Sequence, residues 1–341
     1  MGRPATVPRR MRTVPAIAAL AVVLAGCGSA AKHTAAPLQQ GPFAYDASAA
    51  LGVQSRQVAA GRAGTVHDLS YTSPRGGRVP AFLVLPASKG THPAVVLLHG
   101  SGGDRRELLG LAAGLAARGI VGMTVDSPVA RLQTQTLPAG LAGVRRRSAL
   151  LEQEVVDLRR AVDVLRARPE VDPTRLGFLG FSAGARSGAI LSGVEPRIGS
   201  FVLISGGADP VSAYVRGAGP ALREQIIPLL REVDPLRWIR KARPNTIFFQ
   251  DGKRDEIVPR RALVALIRAA PKPQRVRWYA TGHSPTGPEQ ADALAWLAFG
   301  VPALGFLHPI NALLILGTLG KIAHGEWRRT SEPAVQPTPA V

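Results

Sequence analysis

Gly180-Phe181-Ser182-Ala183-Gly184 is the stretch on which the reading of this chain turns. It fits Gly-x-Ser-x-Gly, a sharp turn that lifts a serine hydroxyl off the end of a β-strand. Before it, Arg175-Leu176-Gly177-Phe178-Leu179 is a short apolar run fit for a buried strand, and after it Ala185 to Leu191 is small and helix-compatible. A serine at such a turn sits in a strained backbone conformation with the helix packed close beside it. Side chains at 180 and 184 would collide there. A five-residue pattern with two free positions arises easily in a Gly- and Ala-rich chain, so its meaning depends on three further stretches.

The first lies upstream. Pro93-Ala94-Val95-Val96-Leu97-Leu98 is a continuous apolar run that reads as a central parallel strand. It runs into His99-Gly100-Ser101-Gly102-Gly103-Asp104, a glycine-rich turn that leaves backbone N–H groups pointing into the cleft. Acyl transfer needs two such donors for the oxyanion of a tetrahedral intermediate. Ser101 and Ala183, the residue after the serine, are the expected pair.

The second stretch supplies an acid and the third a base. Thr246-Ile247-Phe248-Phe249-Gln250 reads as a strand, followed by Asp251, Gly252, Asp255, Glu256 and the re-entering Ile257-Val258-Pro259. A carboxylate just past a strand end can hold a histidine in the required tautomer. Asp255 is the first choice because Gly252 makes the turn; Asp251 is the alternative, and Glu256 reads as solvated. Arg275 to Ala280 alternates like a strand and leads into Thr281-Gly282-His283-Ser284, with a helix starting near Pro288. His283 therefore follows the last strand. His67 comes too early, His92 precedes its strand, and His308 and His324 lie in the tail. In this arrangement His283 would take the Ser182 proton during attack on an acyl carbon, return it to the leaving alcohol, then activate water.

The order Ser182, Asp255, His283 resembles that of the α/β-hydrolase superfamily. Residues from about 60 to 300 are most similar to its dienelactone-hydrolase and acetylxylan-esterase-like branch, and also to the prolyl-oligopeptidase catalytic domain. The resemblance rests on Val95 to Gly100, Val171-Asp172-Pro173-Thr174-Arg175-Leu176-Gly177, Gly180 to Gly184, and Gly252 to Pro259. It implies a hydrolase without a cofactor or metal that uses Ser182, Asp255 and His283. Dienelactone hydrolases proper carry cysteine as nucleophile. Serine here argues for a plain carboxylic ester, with thioester, lactone or peptide substrates and a catalytically silent binding protein of the envelope as alternatives.

Eight strand candidates recur near 66–72, 79–85, 93–98, 119–125, 175–181, 199–205, 246–250 and 275–280. Helical stretches separate most of them: 106–118, 148–166, 183–191, 260–269 and 289–299. Leu150, Leu151, Val155, Leu158, Val162 and Leu165 give the second helix one apolar face, with charges opposite. This pattern predicts a doubly wound, mostly parallel eight-stranded sheet with ligands at the strands' carboxyl ends. Between about 209 and 245 a helical insertion is expected as a small cap. Its Leu222, Ile226, Ile227, Leu229, Leu230, Leu236, Trp238 and Ile239 either line an acyl site or pack on the body. Gln133, Thr134 and Gln135 lie on the other expected rim.

The amino terminus bears on location. Arg3, Arg9, Arg10 and Arg12 precede the apolar run Val14 to Ala25, too short for an ordinary membrane span. Leu24-Ala25-Gly26-Cys27 then matches a lipoprotein cleavage box, so residues 1–26 read as a lipoprotein signal peptide and Cys27 as the lipidated residue. Arg9-Arg10 is a poor fit to twin-arginine export. Cys27 is the single cysteine of the chain, so no intrachain disulfide is possible. Residues 27–60 read as a tether leading into a hydrolase domain at 61–300. The net charge is +19, and without the four signal-peptide arginines it is about +15. The arginines are scattered, with no basic run interleaved with aromatics, which excludes a nucleic-acid binder and suits an anionic envelope. From Ala293 to Gly320 no charged residue occurs. Residues 301–320 are expected as a transmembrane helix with a basic, Pro-rich tail at 321–341. Pro302, His308, Pro309 and Asn311 favour instead an apolar appendage. The expectation as a whole is an exported, membrane-anchored serine hydrolase acting on a small-molecule ester at the extracytoplasmic face.

Overall fold

A computed structural model describes, apart from an isolated Gly2, residues 40–132, 137–244 and 246–300. The strands are β1 (Gln54–Gly61), β2 (Gly64–Thr72), β3 (Arg78–Pro86), β4 (His92–Leu98), β5 (Val121–Val125), β6 (Val171–Phe181), β7 (Ser200–Ile204), β8 (Ile247–Gly252) and β9 (Arg275–Tyr279). The helices are α1 (Leu109–Ala116), α2 (Gly140–Arg166), α3 (Ala183–Val194), α4 (Val211–Tyr214), α5 (Pro220–Glu232), α6 (Pro235–Trp238), α7 (Arg260–Ala269) and α8 (Gly287–Gly300). The strands form one sheet in the order β1-β2-β3-β5-β4-β6-β7-β8-β9. β1, β2, β3 and β5 pair antiparallel in turn, and every pair from β5 across to β9 is parallel.

The continuous apolar runs became the central strands because both sheet faces are covered. Val121, Met123 and Val125 of β5 and Val96 and Leu98 of β4 join Val155, Leu158 and Val162 of α2 and Ile190 of α3 in one core. On the other face Val95 and Leu97 of β4 and Leu179 of β6 pack with Ala112 and Leu115 of α1 and Leu297 of α8. All these side chains are essentially removed from water, and burial of each Val, Leu, Ile or Met among them stabilises by about 1.5–3 kcal/mol as an upper bound. This double cover holds the sheet rigid, so that residues at its carboxyl edge are fixed relative to one another.

Two expectations need correction. The sheet has nine strands rather than eight. The additional strand, β1, is exposed along its whole length at the antiparallel edge, so Gln54 to Gly61 carries no hydrophobic alternation to betray it. Nor is 27–60 a tether throughout. Phe43 and Tyr45 are buried in the core, and Phe43 meets Trp238 edge to face at 5.2 Å between ring centres. The body thus reaches back at least to Phe43, because an aromatic pair there finds apolar cover under α6.

The same segment explains a second difference. α2 starts at Gly140 rather than 148, and two arginines of its polar face, Arg159 and Arg160, are buried. Arg159 ion-pairs with Glu195 at 3.3 Å and donates to the Phe43 carbonyl. Arg160 donates to the carbonyls of Ala47 and Ala49. Segment 43–49 therefore covers a helix face that reads as solvated.

The insertion forms α4, α5 and α6, followed by a 3-10 turn at Ile239–Lys241. Leu236, Trp238 and Ile239 are buried in the body core. Ile226 and Leu230 instead line a cavity of about 370 Å³ between α5 and α2, together with Leu151, Arg186 and Tyr214. Leu222 is exposed. Among the described residues no helix is long and apolar enough to cross a membrane. The expected signal peptide, Cys27, Gln133 to Gln135, the helix at 301–320 and the tail to Val341 lie outside the described residues.

Candidate active site

Ser182 sits between β6 and α3 with φ +53°, in the left-handed region that non-glycine residues rarely occupy. The conformation is held by its own N–H, which donates to the Ile204 carbonyl at 2.8 Å. The flanking glycines are required by close approach. A Cβ at Gly180 would fall on the backbone of Gly184 and Ala185, and one at Gly184 on the carbonyls of Leu98 and His99. The turn is thereby wedged against the end of β4, beside the glycine-rich loop.

Chain segments far apart in sequence converge on Ser182. His283 Nε2 lies 2.9 Å from Ser182 Oγ. His283 Nδ1 lies 2.9 and 3.1 Å from the two carboxylate oxygens of Asp255. Asp255 Oδ1 also accepts from the N–H groups of Ile257 at 2.9 Å and Val258 at 2.8 Å. Those amides are supplied by the turn that re-enters the fold after β8, and they fix the carboxylate before it meets the ring. An ionised carboxylate only accepts, so Nδ1 carries the proton and Nε2 is left to accept from the serine hydroxyl. Phe181 covers the imidazole at 5.2 Å between ring centres. Ser205 Oγ donates to the His283 carbonyl at 2.8 Å.

Asp251 is not part of this chain of bonds. It lies within β8, buried, and its two carboxylate oxygens lack a hydrogen-bond partner among the described residues. Burial, reinforced by the Asp255 charge, pushes its carboxyl up to about 8. Glu256 is exposed.

Ser101 and Ala183 both line a cavity of about 390 Å³ at the carboxyl edge of β4 and β6. Among the described residues no protein acceptor takes the N–H of either. Ala183 is the first residue of α3, where helix amides lack intrahelical partners. The loop carrying Ser101 is braced twice. Glu107 accepts from the Gly100 N–H at 2.9 Å. His99 Nε2 accepts from the Ser127 N–H at 3.1 Å, so its Nδ1 carries a proton and donates to the Gly100 carbonyl at 2.7 Å. That bond turns the Gly100 carbonyl aside at the peptide whose N–H belongs to Ser101.

A serine hydroxyl bonded to a carboxylate-oriented imidazole, beside two unengaged amides, can carry out nucleophilic acyl transfer. Sequence reading missed the bracing roles of His99, Glu107 and Ser205, which form through contacts that no local pattern announces. His92 bonds to the carbonyls of Gly119 and Ser88, and His67 to Thr65, away from this cluster. Among the described residues no group of three His, Cys, Asp or Glu gathers as a metal site.

Residues 49–204 match the family model "Acetyl xylan esterase". The matched stretch takes in Ser101, Ser182 and Ala183 and ends before Asp255 and His283. Solved structures with a similar fold include an acetyl xylan esterase from Paenibacillus sp. R4, 20% identical over 73% of this chain and 88% of that one, with a TM-score of 0.61. Another is acetyl xylan esterase 1 from Thermoanaerobacterium sp., 19% identical, with the same coverages and a TM-score of 0.58. An S-formylglutathione hydrolase from Agrobacterium tumefaciens is 17% identical over 72% of this chain and 99% of that one, with a TM-score of 0.56. At these identities the structural likeness carries the fold, and the family match adds the esterase class.

Proposed function

We propose, from the premise that the chain is an α/β-hydrolase related to the acetyl xylan esterases and a carboxylic ester hydrolase, that it cleaves small acyl esters through an acyl-serine intermediate on Ser182. The reading rests on one observation, the unbroken hydrogen-bonded line from Asp255 through His283 to Ser182. Ser182 Oγ attacks the acyl carbon as His283 Nε2 takes its proton. The Ser101 and Ala183 amides receive the negative charge that develops on the carbonyl oxygen. His283 then protonates the leaving alcohol, and in the second half-reaction draws a proton from water that attacks the acyl-serine. Asp255 stays ionised and stabilises the imidazolium.

The test uses p-nitrophenyl acetate and a fluorophosphonate probe. Wild type turns over the ester and is labelled at Ser182. Ser182→Ala loses the label and about 10⁴-fold or more in kcat. Equal slow hydrolysis by both proteins, with no label at Ser182, refutes the mechanism.

The protein is further proposed to be exported and anchored by lipid on Cys27, with the catalytic body on the extracytoplasmic side. This rests on the basic start, the apolar run and the Leu24-Ala25-Gly26-Cys27 box. Radiolabelled palmitate should enter the wild type and not Cys27→Ala. Carbonate extraction of Cys27→Ala then tests residues 301–320: full release excludes a spanning helix there.

A further inference from the structure

The cavity of about 370 Å³ between α2 and α5 has no part in the proposed acyl transfer, since among the described residues neither Ser182 nor His283 lines it. Its walls are apolar. Leu151 comes from α2, Ile226 and Leu230 from α5, and Val233 caps α5. Small-molecule sites have this size and this kind of wall, with a few charged or polar groups that orient a mostly apolar ligand. Here, among the described residues, the charged groups are Arg147, Arg186 and Asp234.

Arg186, on α3, stands out. It is partly withdrawn from water, yet among the described residues no acceptor meets its guanidinium. Nε is sealed without a partner, and the two terminal nitrogens are unpartnered but not sealed. Glu154 feels the Arg186 charge, but accepts from Ser187 instead. Asp234 caps α6, accepting from the Leu236 N–H at 2.9 Å. Arg147 is exposed. On the α2 wall Ser148 Oγ is buried without a partner as well. A cation drawn out of water without a counter-ion carries an uncompensated desolvation cost. A carboxylate placed on it would relieve that cost and meet a rigid, two-pronged donor.

We propose that this cavity binds a monoanionic amphiphile, an apolar chain ending in a carboxylate, with the carboxylate on Arg186 and the chain between α2 and α5. Two guanidinium groups against one carboxylate leave the lining one positive charge in excess. That balance suits a single negative charge better than a dianionic phosphate. The apolar walls gain from a chain and give nothing to a small polar anion. Such binding does not depend on the esterase reading.

Titration calorimetry of the full chain with octanoate, octanol and acetate tests it. Octanoate should bind saturably. Octanol, which lacks the charge, and acetate, which lacks the chain, should each bind about tenfold or more weaker. Arg186→Met keeps an apolar stem and drops the charge, so it should weaken octanoate about tenfold or more and leave octanol unchanged. Leu230→Trp fills the space of the chain and should weaken both. Thermal melts establish that each variant is folded. No saturable octanoate binding to wild type, octanol binding as tightly as octanoate, or unchanged octanoate affinity in either folded variant overturns the proposal. Hydrolysis of p-nitrophenyl acetate separates two sources of the carboxylate. A KM that rises with octanoate occupancy makes it one end of a substrate; kcat and KM unchanged at saturation make it a free carboxylate, and either result keeps the site. If the ester is not hydrolysed at all, the esterase reading fails and the calorimetry still decides the cavity.

Discussion

Ser205 Oγ holds the main-chain carbonyl of His283 at 2.8 Å, so the loop bearing the imidazole is tied to the end of β7. Ser205 has φ +51° and is held there by its own N–H bond to the Gln250 carbonyl. It works at one remove from the chemistry, through the position of the ring. Removing the hydroxyl should cost about 1 kcal/mol of loop positioning, an approximately fivefold fall in kcat with KM little changed. Ser205→Ala and Ser205→Gly should share this loss. Only glycine relieves the backbone strain, so Ser205→Gly should melt at the higher temperature of the two. Equal kcat in wild type and both variants would remove Ser205 from the account.

Two aspartates with buried carboxyl groups sit four residues apart in sequence, and the geometry divides their work. Asp255 bonds to His283 and to two amides, whereas Asp251 bonds to neither His283 nor Ser182. Asp255→Asn offers the ring an amide where it needs a carboxylate, and kcat should fall by about 10⁴-fold. Asp251→Asn should change kcat by less than about threefold. Steady-state kinetics of the two variants on one short-chain ester decide the assignment; the reverse ranking would make Asp251 the triad acid.

Asp251 should show itself in stability instead. Its folded carboxyl is raised to about 8 from an ordinary 3.8. Below about pH 4 the folded and unfolded chains both hold the proton, and its contribution to stability is fully present. As pH rises from there the unfolded chain releases the proton while the folded one keeps it. That contribution drains away and is lost by about pH 8, a change on the order of a few kcal/mol. Asp251→Asn carries no such proton. The melting temperature of Asp251→Asn relative to wild type should therefore rise steadily between about pH 5 and pH 8 in thermal melts. A constant gap would mean that the buried carboxyl is already ionised.

The parts of the fold that could be read locally were those whose cause is local. Continuous apolar runs do not suit solvated strands, so Ala94 to Leu98 and Phe178 to Phe181 announced the buried centre of the sheet. The turn glycines at 180 and 184 mark close backbone approaches. Asp255 and His283 could be singled out because each follows a strand end. β1 escaped because an exposed edge strand needs no buried apolar side, and every residue from Gln54 to Gly61 is exposed. Arg159 and Arg160 looked solvated because their partners, Glu195 and the carbonyls of Phe43, Ala47 and Ala49, are far away in sequence.

Those distant partners yield the last prediction. Tyr45 Oη donates to Asp163 at 2.8 Å, and Arg197 bridges Asp163 at 2.5 Å and Glu195 at 2.6 Å. All four side chains are largely removed from water, so the cluster is costly to break from one side. Tyr45→Phe removes the bond to the Asp163 carboxylate and the longer one accepted from Arg197 at 3.3 Å, and should destabilise by about 1.5–3 kcal/mol. Arg197→Met takes the shortest cationic partner from two buried carboxylates, leaving Glu195 to Arg159 at 3.3 Å and Asp163 to Arg160 at 3.1 Å and Tyr45, and should cost more, about 3–5 kcal/mol. Removing residues 1–49 deletes Tyr45 and Phe43 together, uncovers Arg159 and Arg160, and should exceed Tyr45→Phe. Urea unfolding measures all three. The ranking separates a docked segment from a tether, because a tether could be cut away without changing the unfolding midpoint, and Tyr45→Phe would then match wild type.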